Sequence, residues 1–121
     1  GYEPDPTVLK YAEQYGSKFT LTEDVMEAAR DCDALFTDVW SSMGMEAEIE
    51  KRKIAFDGYQ INDKLMAKAK KDAMVQHCLP AHRGEEITDE VFEAHANEIF
   101  DEAENRLHVQ KAVMAMLMGD K

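Results

Sequence analysis

Two histidines, a cysteine and a proline crowd into VQHCLPAHRG, residues 75–84 of an otherwise acidic chain. His77, Cys78 and His82 are residue types that ligate metals or carry nucleophilic and proton-transfer chemistry. Zinc needs a tetrahedral ligand set, and His–Cys–x3–His is not one of its usual spacings. A cysteine nucleophile needs a base positioned by the fold, which sequence proximity alone does not supply. By themselves these residues favour a plain reading, a buried thiol at a strand end.

Two other stretches carry reactive or binding groups. DVWSSMG, residues 38–44, offers a carboxylate at Asp38, then hydroxyls and backbone N–H groups in a turn ahead of a helix near Met45. Such a turn suits an anionic or amino-acid ligand, or simply caps the helix, and the capping role is the commoner one. Trp40 then serves as a core or hinge aromatic. Arg106, in EAENR, is either a surface ion-pair residue or an inward anion clamp, and the surface reading is the simpler.

The elements that must position these groups are well marked. LTEDVMEAA, residues 21–29, and ITDEVFEAH, residues 87–95, share one pattern: apolar, Thr, two acids, Val, apolar, Glu, Ala. Thr22 and Thr88 are placed to cap helices whose first turns carry acids at the positive dipole end. Leu21 with Met26, and Ile87 with Phe92, have the spacing of a hydrophobic staple. INDKLM repeats the device with Asn62 as cap and Ile61 facing Met66. Pro6 starts a helix running towards Tyr15, with Gly16 as its stop. A last helix is expected from about Glu102 to Met118, with Gly119 beyond it.

Between the helices, KFTL (18–21), ALFTDV (34–39), MVQHCL (74–79) and EIF (98–100) read as strands. Alternating strands and helices imply right-handed crossovers and an α/β fold with a mostly parallel sheet. In such sheets ligands bind beyond the carboxyl ends of the strands. Asp38 and Cys78 stand at two such ends, so their loops should emerge on one edge of the sheet.

Composition narrows the field. A length of 121 residues suits one domain with a modest core. Hydrophobic residues at 45% and charged residues at 32% argue against global disorder. A net charge of −11 excludes nucleic acid and anionic membranes as ready partners. No apolar run approaches a membrane span, and Cys32 and Cys78 are expected as reduced thiols in a cytoplasmic setting. An opening on GYEPDP, turn chemistry without a preceding element, reads as a piece of a longer chain.

DVWSSMG, HCLPAHRGEEIT and EAENRLHVQKAVM, in this order, resemble the carboxyl-terminal, ornithine-binding half of ornithine carbamoyltransferases, and the resemblance covers essentially all 121 residues. Aspartate carbamoyltransferases carry His-Pro-Leu-Pro where this chain has HCLP. The resemblance implies a three-layer Rossmann-like domain and transfer of the carbamoyl group from carbamoyl phosphate to L-ornithine, giving citrulline and phosphate. It implies no metal and no cofactor. Asp38, Ser42 and Met43 match positions that hold the amino-acid end of ornithine. Cys78 matches the cysteine beside the δ-amino group, as a positioning residue and not a covalent nucleophile. Leu79 matches the residue whose carbonyl orients the carbamoyl group, followed in relatives by a cis bond to proline. Arg106 matches the arginine that reaches the carbamoyl group.

The family's Ser-x-Arg-Thr-Arg phosphate motif does not occur here, and the asparagine that helps bind ornithine should precede Gly1. Residues 1–121 therefore read as a partial ornithine-binding domain, without the carbamoyl phosphate domain that supplies most trimer contacts. Such a segment is expected to be inactive alone and to self-associate. The alternatives are a non-catalytic fold fragment and a carbamoyltransferase for another amine.

Overall fold

The computed structural model describes residues 2–41, 44 and 46–119. The chain opens with α1 (Pro6–Glu13), whose Asp5 side chain accepts the Thr7 N–H at 2.7 Å while Pro6 fills a position that needs no N–H. After a 3-10 turn at Gly16–Lys18 come α2 (Val25–Ala28) and β1 (Ala34–Thr37). A second 3-10 turn, Glu46–Glu48, leads into α3 (Ile49–Ala55), followed by α4 (Asp63–Met66) and β2 (Met74–His77). The chain finishes with α5 (Asp89–Ala94) and the long α6 (Ala96–Met118).

Two of the expected helix caps form as read. Asn62 accepts the Leu65 N–H at 3.1 Å, and Thr88 accepts that of Val91 at 3.4 Å. Their partners Ile61, Ile87 and Phe92 are buried. At the first site the cap is Asp24, not Thr22. One Asp24 oxygen accepts from both Met26 and Glu27, and Thr22 instead accepts the Asp24 N–H. This shift of two residues leaves Leu21 exposed, so the expected staple with Met26 lies out of register.

β1 and β2 pair in parallel, with Leu35 opposite Val75 and Thr37 opposite His77. Among the described residues this two-stranded sheet is the whole of the strand pairing, apart from isolated bridges at Ile61–Ile87 and Arg83–Ile87. Two expected strands are corrected. In KFTL, Lys18 ends the 3-10 turn and Phe19 caps it by donating to the Gly16 carbonyl, and residues 19–21 pair with no described strand. EIF belongs to α6. Its Ile99 is fully buried, and its Glu98 accepts the Val75 N–H at 2.9 Å. A helix side chain thus takes the place of a neighbouring strand at that point of β2.

Alternation along β2 buries Val75 and His77 on one face. They join Leu35, Ile61, Ile87, Val91 and Ile99 in the core. Each large side chain there contributes about 1.5–3 kcal/mol through burial. This core fixes the ends of β1 and β2, and with them the loops that follow.

Candidate functional site

Asp38 and Cys78 each stand one residue past a paired strand position, Thr37 opposite His77. Parallel register therefore delivers them side by side, and the Cys78 thiol donates to Asp38 Oδ1 at 3.4 Å. The same oxygen accepts the Val39 N–H at 2.8 Å, which leaves Oδ2 without a hydrogen bond to another described residue. These residues open into a recess of about 510 Å³, lined also by Ser41, Lys53, Leu79, His82 and Glu85. Ser41 Oγ is buried there without a hydrogen bond to another described residue.

Partial desolvation raises the Cys78 pKa above the ordinary thiol range. The Asp38 hydrogen bond and charge add to the effect, as does the charge of Glu102. The residue as a whole is exposed, so the desolvation is partial. A thiol so held is protonated at neutral pH and is a poor nucleophile. It can still donate, or sit against an amine, which fits a positioning residue.

The loop between Cys78 and His82 is clamped from behind. His77 Nδ1 accepts the Leu79 N–H at 2.9 Å, so the ring proton lies on Nε2 and is donated to Glu86 Oε1 at 3.0 Å. The same Glu86 oxygen accepts the His82 N–H at 2.6 Å. His77 and Glu86 are both fully buried. Between these anchors, Leu79 has a φ of 56°, uncommon for a bulky residue, and its bond to Pro80 is cis.

Aromatics pack beside a second recess, of about 440 Å³, which shares Asp38 with the first. Trp40 stacks on Phe56 at 6.4 Å between centroids, and its carbonyl accepts from Arg52 at 3.2 Å. The reading of Trp40 as a packing aromatic agrees with this.

Of the residues singled out from the sequence, Asp38, Cys78 and Leu79 meet at the recess. Ser42 and Met43 lie outside the described residues. Arg106 stands apart, exposed on α6, lining none of the recesses and making no ion pair with another described residue. Sequence reasoning passed over Glu86, and it weighed His77 for metal or nucleophile chemistry, not as a buried clamp. Period-two alternation from Val75 was the available signal. It places His77 on the buried face, where an imidazole needs a partner.

The fold and the recess define an α/β ligand-binding domain of Rossmann-like type, with its site beyond the carboxyl ends of parallel strands. Residues 1–117 match the family described as aspartate/ornithine carbamoyltransferase, Asp/Orn binding domain. The ornithine carbamoyltransferase of Geobacter sulfurreducens is 58% identical over 119 residues, covering 98% of this chain and 39% of that protein. That of Thermococcus kodakarensis is 54% identical over 123 residues, with the same coverage of 98% and 39%. The crystal structure of the anabolic ornithine carbamoyltransferase from Campylobacter jejuni matches with a TM-score of 0.88 at 44% identity, covering 99% of this chain and 41% of that one. This chain belongs to the aspartate/ornithine carbamoyltransferase family, and it spans about 39% of the length of these curated relatives.

Proposed function

We propose that residues 1–121 carry the L-ornithine half of an ornithine carbamoyltransferase active site. The observation that supports this most is the meeting of Asp38 and Cys78 at 3.4 Å beyond two parallel strands, in a chain of this family. The Asp38 carboxylate attracts an ammonium group, and Ser42 and Met43 follow it in the motif that resembles the amino-acid-end site. Cys78, protonated and uncharged, lies against the δ-amine without competing for its proton. The Leu79 carbonyl orients the carbamoyl group, and the family resemblance gives Arg106 the part of reaching that group, which requires it to swing in from its exposed place on α6.

In the reaction the neutral δ-nitrogen attacks the carbamoyl carbon. The bond from that carbon to the phosphate oxygen then breaks, phosphate leaves, and the nitrogen loses a proton to give citrulline. A free δ-amine is mostly protonated at pH 7, so a recess that disfavours its charge assists the attack. Donors aimed at the tetrahedral oxyanion stabilise it, the part that the resemblance gives Arg106. Carbamoyl phosphate is supplied by a separate half, homotrimeric in assembly, and the enzyme works in the cytoplasm. No described helix is long and apolar enough to cross a membrane.

Grafting these residues in place of the matching segment of the Geobacter sulfurreducens relative tests the reading. Citrulline should form from L-ornithine and carbamoyl phosphate, and Asp38→Asn should raise the ornithine KM at least tenfold. A graft that folds but carbamoylates another amine in preference to ornithine overturns the substrate. The 121-residue chain alone should produce no citrulline above background.

The second reading, a non-catalytic and self-associating fragment, draws on one feature of the molecule. The carboxyl-terminal half of α6 exposes Leu107, Val113, Met114 and Leu117.

A further inference from the structure

At the turn that follows Pro80, where His82 and Glu85 also line the recess, one nitrogen of His82 and one oxygen each from Glu85 and Glu86 lie within 4.8 Å of one another. The turn itself creates the grouping. Glu85 N–H donates to the His82 carbonyl at 3.0 Å, and Gly84, at φ +86°, takes the left-handed conformation that closes it. Gly84 N–H then reaches the Ile87 carbonyl at 2.7 Å, fixing the turn to the core.

The two carboxylates share a feature. Glu85 Oε1 is held by Lys53 at 2.8 Å, while Oε2 faces His82 Nδ1 at 3.8 Å, beyond hydrogen-bond reach. Glu86 Oε1 is held by His77 and the His82 N–H, while Oε2 is buried without a hydrogen-bond partner among the described residues. A fully buried carboxylate oxygen with nothing to accept from carries a desolvation cost that a cation would offset. In each glutamate one oxygen is oriented by the protein and the other left over, the usual arrangement of ligands steadied from behind.

We propose that His82, Glu85 and Glu86 form a binding site for a divalent transition-metal ion such as Zn²⁺. One nitrogen and two carboxylate oxygens suit such an ion, with bonds of about 2.0–2.2 Å and water completing the shell. A spread of 4.8 Å closes onto those bond lengths through rotamer changes of His82, which is exposed and gives the ion its way in from solvent. The bound ion ties the turn to the buried Glu86, and through it to His77 and the Leu79 backbone. The site is distinct from the grouping of Asp38, His77 and Cys78 at the strand ends, which has a thiol among its donors. It depends on neither the ornithine reading nor the carbamoyl chemistry.

Calorimetric titration of the 121-residue chain with ZnCl₂, paired with Co²⁺ absorption spectroscopy, tests the site. One ion per chain should bind with micromolar or tighter affinity. His82→Ala and Glu85→Gln, both at accessible positions, should each weaken binding at least tenfold, and Cys78→Ser should leave it unchanged. Cobalt should show ligand-field bands without a thiolate charge-transfer band. Three results overturn the proposal: no binding up to millimolar metal, binding indifferent to both His82→Ala and Glu85→Gln, or binding abolished by Cys78→Ser.

Discussion

Cys78 owes its chemistry to two neighbours and a partly dry setting, and this makes its ionisation measurable. The folded pKa is raised, so the chain holds this proton above the pH at which an unfolded thiol releases it. The stabilisation is complete below the unfolded thiol pKa and disappears as pH climbs through the raised folded value. In a Cys32→Ser background, iodoacetamide should modify Cys78 slowly at neutral pH, with a midpoint above that of a free thiol. Asp38→Asn should lower the midpoint only part of the way, because desolvation is the larger cause and remains. A midpoint at or below the free-thiol value would contradict the environment described. Glu86 makes the second case at this scale. Its Oε1 takes the protons of His77 Nε2 and His82 N, so Glu86→Ala strands two donors, one of them fully buried. A loss of about 1–3 kcal/mol follows from the unsatisfied groups alone. Urea denaturation should show it as a lower midpoint, and an unchanged midpoint would mean that water replaces the carboxylate without cost. Asp38 and Cys78 were legible as strand-end residues. Glu86 was not, since what distinguishes it is a partner nine positions back that only the folded loop supplies.

Elements were legible where local chemistry decides them. Asn62 and Thr88 cap as their sequences imply, because a short polar side chain followed by a buried apolar spacing leaves few other solutions. Asn62→Ala should therefore cost about 1 kcal/mol, measured as a shift in thermal midpoint, whereas Thr22→Ala should cost less, since Asp24 holds that helix start. An equal cost at the two sites would place the first cap back at Thr22. Elements were misread where pairing decides them. KFTL has strand-forming residues, but a strand exists only beside a partner. EIF contains a β-branched and an aromatic residue, yet it lies in the opening turns of the 23-residue α6, with Ile99 buried against the core. The long helix outweighs the three-residue propensity. Asp38 and Cys78 converge because β1 and β2 pair in register, a long-range fact that alternation of elements suggests but cannot fix.

At the scale of the whole molecule, the chain presents apolar surface with no described element covering it. Phe36 on β1 is 70% exposed, and Leu117 on α6 is 80% exposed. A recess of about 440 Å³ runs beside β1, lined largely by apolar residues that include Leu35, Trp40 and Phe56. β1 is paired along one side only among the described residues, and such an edge readily accepts another chain. The methionines Met114, Met116 and Met118 add adaptable surface on α6, able to repack with little strain. Opposing this is the net charge of −11, whose long-range repulsion is screened beyond about 8 Å at physiological salt. Burial of apolar surface at short range therefore wins over repulsion at long range, and the isolated chain should form dimers or larger assemblies. Sedimentation equilibrium across a concentration series should give masses rising above that of one chain. Lowering the salt should shift the balance back towards monomer. Leu107→Glu with Leu117→Glu should do the same if α6 forms the contact, while Phe36→Glu should do so if β1 does. A strictly monomeric mass at the highest concentration would show that these surfaces are too small or too divided to hold a second copy.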